Sequence, residues 1–131
     1  MRFLTSRRQF LPVISLIGLA FLASGCSEGA ASQDANAPIR IETSQMYVTV
    51  RNQTGLALNE VEIVITPVGR STVYKKFLGR LESAENRNVM LGDFMGRDGT
   101  PFSLRIAKPR SVQVLGTDVN GKKYDVQVAW Q

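Results

Sequence analysis

The chain reads as all-β, one antiparallel sandwich of about seven strands behind an N-terminal leader. Three observations predict it. Apolar residues recur at every second position from Met46 onward, Gly, Pro and Asn punctuate the runs, and no long stretch keeps a 3.6-residue period. The span from Ile39 to Gln131 suits one sandwich of about 100 residues and is too short for two cores.

The leader, residues 1–25, precedes that pattern. Ser6-Arg7-Arg8-Gln9-Phe10-Leu11 opens an uncharged apolar run that closes in Leu22-Ala23-Ser24-Gly25-Cys26. As a helix, Phe10 to Ala23 would span about 21 Å, short of a hydrocarbon core of about 30 Å, so an export signal fits better than a permanent span. Arg7, Arg8, Phe10 and Leu11 resemble the twin-arginine signal, and the small residues ending on Cys26 resemble a bacterial lipobox. That resemblance implies cleavage before Cys26 and acylation of it. Several acyl chains, each contributing about 0.8 kcal/mol per buried methylene, would then anchor the protein stably to a membrane. Cys26 is the single cysteine, so no intramolecular disulfide is possible.

Residues 26–38 follow as a tether, since Ser-Glu-Gly-Ala-Ala-Ser-Gln-Asp-Ala-Asn-Ala-Pro offers nothing large to bury. Ser27, in place of the Asp that tends to retain enterobacterial lipoproteins at the inner membrane, leans towards the outer membrane. The domain is expected over residues 39–131.

Met46, Val48 and Val50 alternate with polar neighbours, as do Val61, Ile63 and Ile65. Further strands are expected at Thr72 to Leu78, Arg87 to Leu91, Phe102 to Ala107, around Val112 and Val114, and at Tyr124 to Trp130. Asn120-Gly121 predicts a hairpin with a two-residue type I′ turn, because both residues tolerate positive φ. Asn52 to Gly55, Pro67 to Gly69, Gly96 to Pro101 and Lys108-Pro109 supply the other reversals. At most one short helical turn is expected, around Glu82 to Glu85.

This layout resembles small bacterial envelope modules of immunoglobulin or fibronectin type III character. The residues that carry it are Val48 to Gly55 leading to Leu58 and Val61-Glu62-Ile63, then Leu78-Gly79-Arg80-Leu81 and Val89-Met90-Leu91. The chain lacks the two sheet-bridging cysteines of antibody domains. Such folds host many roles, so no site residue transfers.

Composition narrows the function. There is no His, which removes the usual general base near neutral pH and the commonest transition-metal ligand. No cofactor beyond covalent lipid and no metal is implied, and an enzyme is not expected. Asp93 and Asp98 are the nearest thing to a hydrolase pair, yet their turn-rich surroundings favour local backbone bonding. Of 16 Lys and Arg, three leave with the leader, so 13 face 11 Asp and Glu. Those basic residues are interleaved with acids, which argues against a nucleic-acid partner.

Two groups could bind a ligand. Phe94 and Met95 beside Arg97 suit a protein interface, if they are exposed. Tyr74, Tyr124 and Trp130 could gather as a platform for cell-wall or surface glycan, although core packing competes. The expectation is therefore a non-catalytic envelope lipoprotein, facing the periplasm or the outside, that contacts another envelope protein. Glycan binding is the alternative, and an envelope hydrolase a distant one.

Overall fold

The computed structural model describes residues 33–69 and 72–131. Arg7, Arg8, Phe10, Leu11 and Cys26 lie outside them.

Among the described residues eight strands form two antiparallel sheets. β1 (Ile39–Thr43), β2 (Tyr47–Asn52) and β5 (Asn86–Met90) make a three-stranded sheet in the order β1-β2-β5. The second sheet contains β3 (Leu58–Pro67), β4 (Tyr74–Leu81), β6 (Met95–Gly96), β7 (Pro109–Asp118) and β8 (Lys123–Ala129), ordered β6-β4-β3-β7-β8. The all-β sandwich that the period-two pattern predicts is therefore the fold.

Alternation explains the core. Val48 and Val50 from β2, Val61, Ile63 and Ile65 from β3, and Val112 and Val114 from β7 are all fully buried, as successive side chains of a strand must take opposite faces. Ile39, Leu58, Leu81, Val89, Leu91 and Phe94 belong to the same cluster, as do Ile41, Tyr74, Phe102 and Ala107. At Gly116 the sheet comes close to its own neighbour: a Cβ there would sit 3.3 Å from Val61 and 3.7 Å from Leu58. The missing side chain is what lets those two residues fill the layer.

Several sequence expectations are corrected. β1 was not anticipated, although Ile39 and Ile41 alternate with Arg40 and Glu42. Met46 precedes β2 and is exposed rather than in the core. Phe102 to Ala107 is no strand. The Ser103 carbonyl accepts the N–H groups of Ile106 and Ala107, and Leu104 and Ile106 are exposed, because this connection from β6 to β7 has no strand beside it to pair with. Among the described residues the one helical element is a 3-10 turn at Leu91–Asp93, whereas Glu82 to Glu85 is a tight turn with Ala84 at φ 62°.

The β7–β8 hairpin exists, but with a different turn. Gly121 donates to the Asp118 carbonyl at 3.0 Å, Asp118 to that of Lys122 at 2.9 Å, and only Gly121 has positive φ. This is a type I turn with a glycine bulge. Asp118 selects it: its Oδ1 accepts the Asn120 and Lys122 N–H groups at 2.8 and 3.0 Å. The tether is also tied down at its end, where Gln53 donates to the Pro38 carbonyl and Ala37 to that of Asp34.

One polar side chain sits fully inside. Asn52 Nδ2 donates to the carbonyls of Leu56, Leu81 and Glu82, at 2.7, 3.2 and 3.1 Å. Its Oδ1 accepts the Thr54 N–H and hydroxyl. Among the described residues no buried side-chain polar atom lacks a partner. Asn52→Ala would leave one buried and two half-buried carbonyls without this donor, so it should lower stability by about 2–4 kcal/mol in urea denaturation, with strand content retained by circular dichroism.

Candidate binding surface

The outer face of the five-stranded sheet carries an open groove lined by the exposed Phe77 and Met95. β6 pairs with β4 through Tyr74–Gly96 and Lys75–Met95. A tight loop holds it there. Gly96 N–H donates to the Thr100 carbonyl at 2.8 Å, Gly99 N–H to that of Gly96, and Phe102 N–H to that of Phe94. Within the loop Asp98 Oδ1 accepts the Thr100 N–H at 3.0 Å. That backbone hydrogen bond, with a second from the Thr100 hydroxyl, holds the Asp98 carboxyl below its ordinary value. Asp98 is spent on its own turn, as the turn-rich setting suggests, and Asp93 ends the 3-10 turn.

Phe94 and Met95 part company. Both are in extended backbone, so consecutive side chains face opposite ways: Phe94 is 0 % exposed and Met95 45 %. Phe94 is thereby withdrawn from any interface. Met95 instead meets Phe77, which is 62 % exposed, across an open groove of about 890 Å³. Val73 and Arg97 line the same groove, and a Lys75–Glu62 ion pair at 3.3 Å borders it. Arg97 makes no ion pair among the described residues.

Phe77 was missed from sequence, though a signal existed. Phe77 and Leu78 are adjacent, and in a strand only one of two neighbours can face the core. With Tyr74 inside, Phe77 takes the outward phase.

The aromatic platform does not assemble. Tyr74 is buried and packs edge-on against Phe102 with ring centroids 5.1 Å apart, and Phe102 meets Trp130 at 6.3 Å. Tyr124 lies six residues up the chain from Trp130, about 20 Å along an extended strand. There its hydroxyl donates to Asp118 Oδ2 at 3.2 Å, and Lys122 Nζ sits 5.1 Å from its ring. Tyr124, Val126, Val128 and Trp130 are half-buried against the core.

Among the described residues no three His, Cys, Asp or Glu side chains cluster as metal ligands would. No helix there is long and apolar enough to cross a membrane. No protein-family profile, curated protein or solved structure matches the chain.

The hairpin tip supplies a titration. Burial pushes the Asp118 carboxyl up, but hydrogen bonds from Lys122 and Asn120 N–H and the Tyr124 hydroxyl, with the Lys122 charge, outweigh it and leave it lowered. A carboxyl lowered by folding stabilises fully above about pH 3.9 and loses that contribution as pH falls through its folded value. Asp118→Asn should therefore flatten the acid limb of stability below about pH 4 while lowering stability at neutral pH, read from urea midpoints across pH.

Proposed function

We propose that this chain is a lipid-anchored envelope protein whose sandwich docks a second envelope protein through the Phe77–Met95–Arg97 groove. The observation that carries the reading is Phe77, a large aromatic 62 % exposed beside a Met 45 % exposed. Soluble folds seldom leave such side chains together in water without a use, and aromatic, Met and Arg side chains are those enriched at protein interfaces. The groove is open and mixed in character, with Arg97 at its border as a free cation for a partner carboxylate. Glycan recognition draws no support from Tyr74, Tyr124 and Trp130, which pack in the core or at the hairpin.

Address and anchor belong to the same reading. Arg7-Arg8 with Phe10-Leu11 would direct export, and Cys26 would carry the acyl groups that hold the sandwich at the bilayer, with Ser27 favouring the outer membrane. The role is contact rather than catalysis: the chain has no His, and Asp98 is committed to its turn.

The groove is tested in intact cells by photo-crosslinking from position 75 or 97, both on its lining. A discrete adduct is expected, and Phe77→Ser with Met95→Ser should reduce it at least tenfold without changing the thermal midpoint by more than a few degrees. An adduct that survives both substitutions would reject the groove. The anchor is tested separately: Cys26→Ser should move the protein from the detergent phase to the aqueous phase, and unchanged partitioning would reject acylation.

A further inference from the structure

Every open sheet ends in strands with one row of backbone amides and carbonyls unpaired, and folds commonly block such rows against other chains. Two blocks are built here. The Gln33 side-chain amide pairs with the edge of β1, donating to the Ile39 carbonyl and accepting the Ile41 N–H at 2.7 Å. On the far side β6 takes Tyr74 and Lys75 of β4, and the Arg87 guanidinium, reaching over from β5, donates to the carbonyls of Leu78 and Arg80, each at 3.3 Å. Glu85 holds that guanidinium at 2.9 Å.

Among the described residues the edge of β8 from Lys123 to Ala129 has no such block, and Thr43 reaches only Gln131, just beyond its end. The ladder phase shows which groups it presents. Asp118 N–H bonds the Lys122 carbonyl and Trp130 N–H bonds that of Arg110, so the even-numbered residues of β8 pair with β7. The N–H and C=O groups of Lys123, Asp125, Gln127 and Ala129 consequently point away from the sheet. β8 also overhangs its partner sheet, because three strands face five. Its inner row, Tyr124, Val126, Val128 and Trp130, is half-buried where Val112 and Val114 beside it are sealed. An open groove of about 370 Å³ separates β1 from β8, lined in part by Ile41, Thr43, Val128 and Ala129.

We infer that β8 pairs antiparallel with β8 of a second copy, about a two-fold axis through Val126. The outward row of Lys123, Asp125, Gln127 and Ala129 is neutral, so this edge meets its own copy without the repulsion a one-signed row would impose. With Val126 on the axis, Lys123 lies opposite Ala129 and Asp125 opposite Gln127, and the whole of β8 aligns with no like charges facing. A shift that centres Asp125 sets that carboxylate against itself. The same axis sets Val126 against Val126 and Tyr124 against Val128, which carries the half-buried row across the junction. A two-fold contact of this kind closes on itself and uses up both free edges. It is independent of the Phe77 groove, which lies at the opposite end of the sheet.

Sedimentation of the full chain in detergent should show a concentration-dependent dimer. Gln127→Pro should make it monomeric, because the ring removes an outward N–H that serves no bond within the sheet. Phe77→Ser should leave the dimer intact, which separates this inference from the groove. In the Cys26→Ser chain, Val126→Cys should form an intermolecular disulfide, since facing residues of a non-hydrogen-bonded pair lie about 4.5 Å apart, and Lys123→Cys should not. A chain that stays monomeric at every concentration, a dimer indifferent to Gln127→Pro, or equal crosslinking at 123 and 126 would each overturn the pairing. If Gln127→Pro fails to fold, the comparison of 126 with 123 decides alone.

Discussion

The sandwich depends on one buried amide. Asn52 closes β2 in the smaller sheet, yet its Nδ2 binds the Leu81 and Glu82 carbonyls at the end of β4 in the larger one. Its backbone joins the same knot, with its N–H on the Glu85 carbonyl and its carbonyl accepting the Ala84 N–H. Hydrophobic burial brings the sheets together but is indifferent to sliding, since Val and Ile contacts vary little with a shift of one layer against the other. A fully satisfied amide between them is directional and fixes the offset. Ala84 in a left-handed conformation, at a cost of about 1 kcal/mol, is tolerated because the turn it makes delivers these carbonyls.

Three strands against five makes an asymmetric molecule. One long edge of the larger sheet is capped by β6 and the Arg87 guanidinium, and its outer face there bears Phe77 and Met95. Among the described residues the other long edge is bare along β8. The exposed chemistry is thus divided between two ends that share β3 and β7 as a rigid centre, the pairs with the most extensive packing in the fold.

Legibility in sequence followed how local the cause was. Val61, Ile63 and Ile65 announced themselves because one face is buried along the whole of β3. Asn120-Gly121 marked the last hairpin correctly, but the turn type was decided by Asp118, two positions earlier, whose carboxylate competes for the same N–H groups. Phe102, Leu104 and Ile106 keep the strand period without being a strand, since pairing needs a neighbour that the periodicity cannot supply. The proposed groove was half visible: the Gly92 to Pro101 loop carries Met95 and Arg97, but Phe94 and Met95 could not share a face in extended backbone. Phe77 joins them only through the pairing of β6 with β4, a contact between distant parts of the chain. Asn52 read as part of a turn, and nothing nearby in sequence reveals that it grips Leu81.

Gln33 and Gln131 line the same groove between β1 and β8. The two ends of the described stretch are therefore next-door neighbours. A fluorescent protein or affinity handle appended after Gln131 would crowd the bare margin of β8 and the point where the polypeptide enters the sandwich, while sparing Phe77 at the remote margin. Placement of a reporter thus decides which of the two surfaces stays open to visitors.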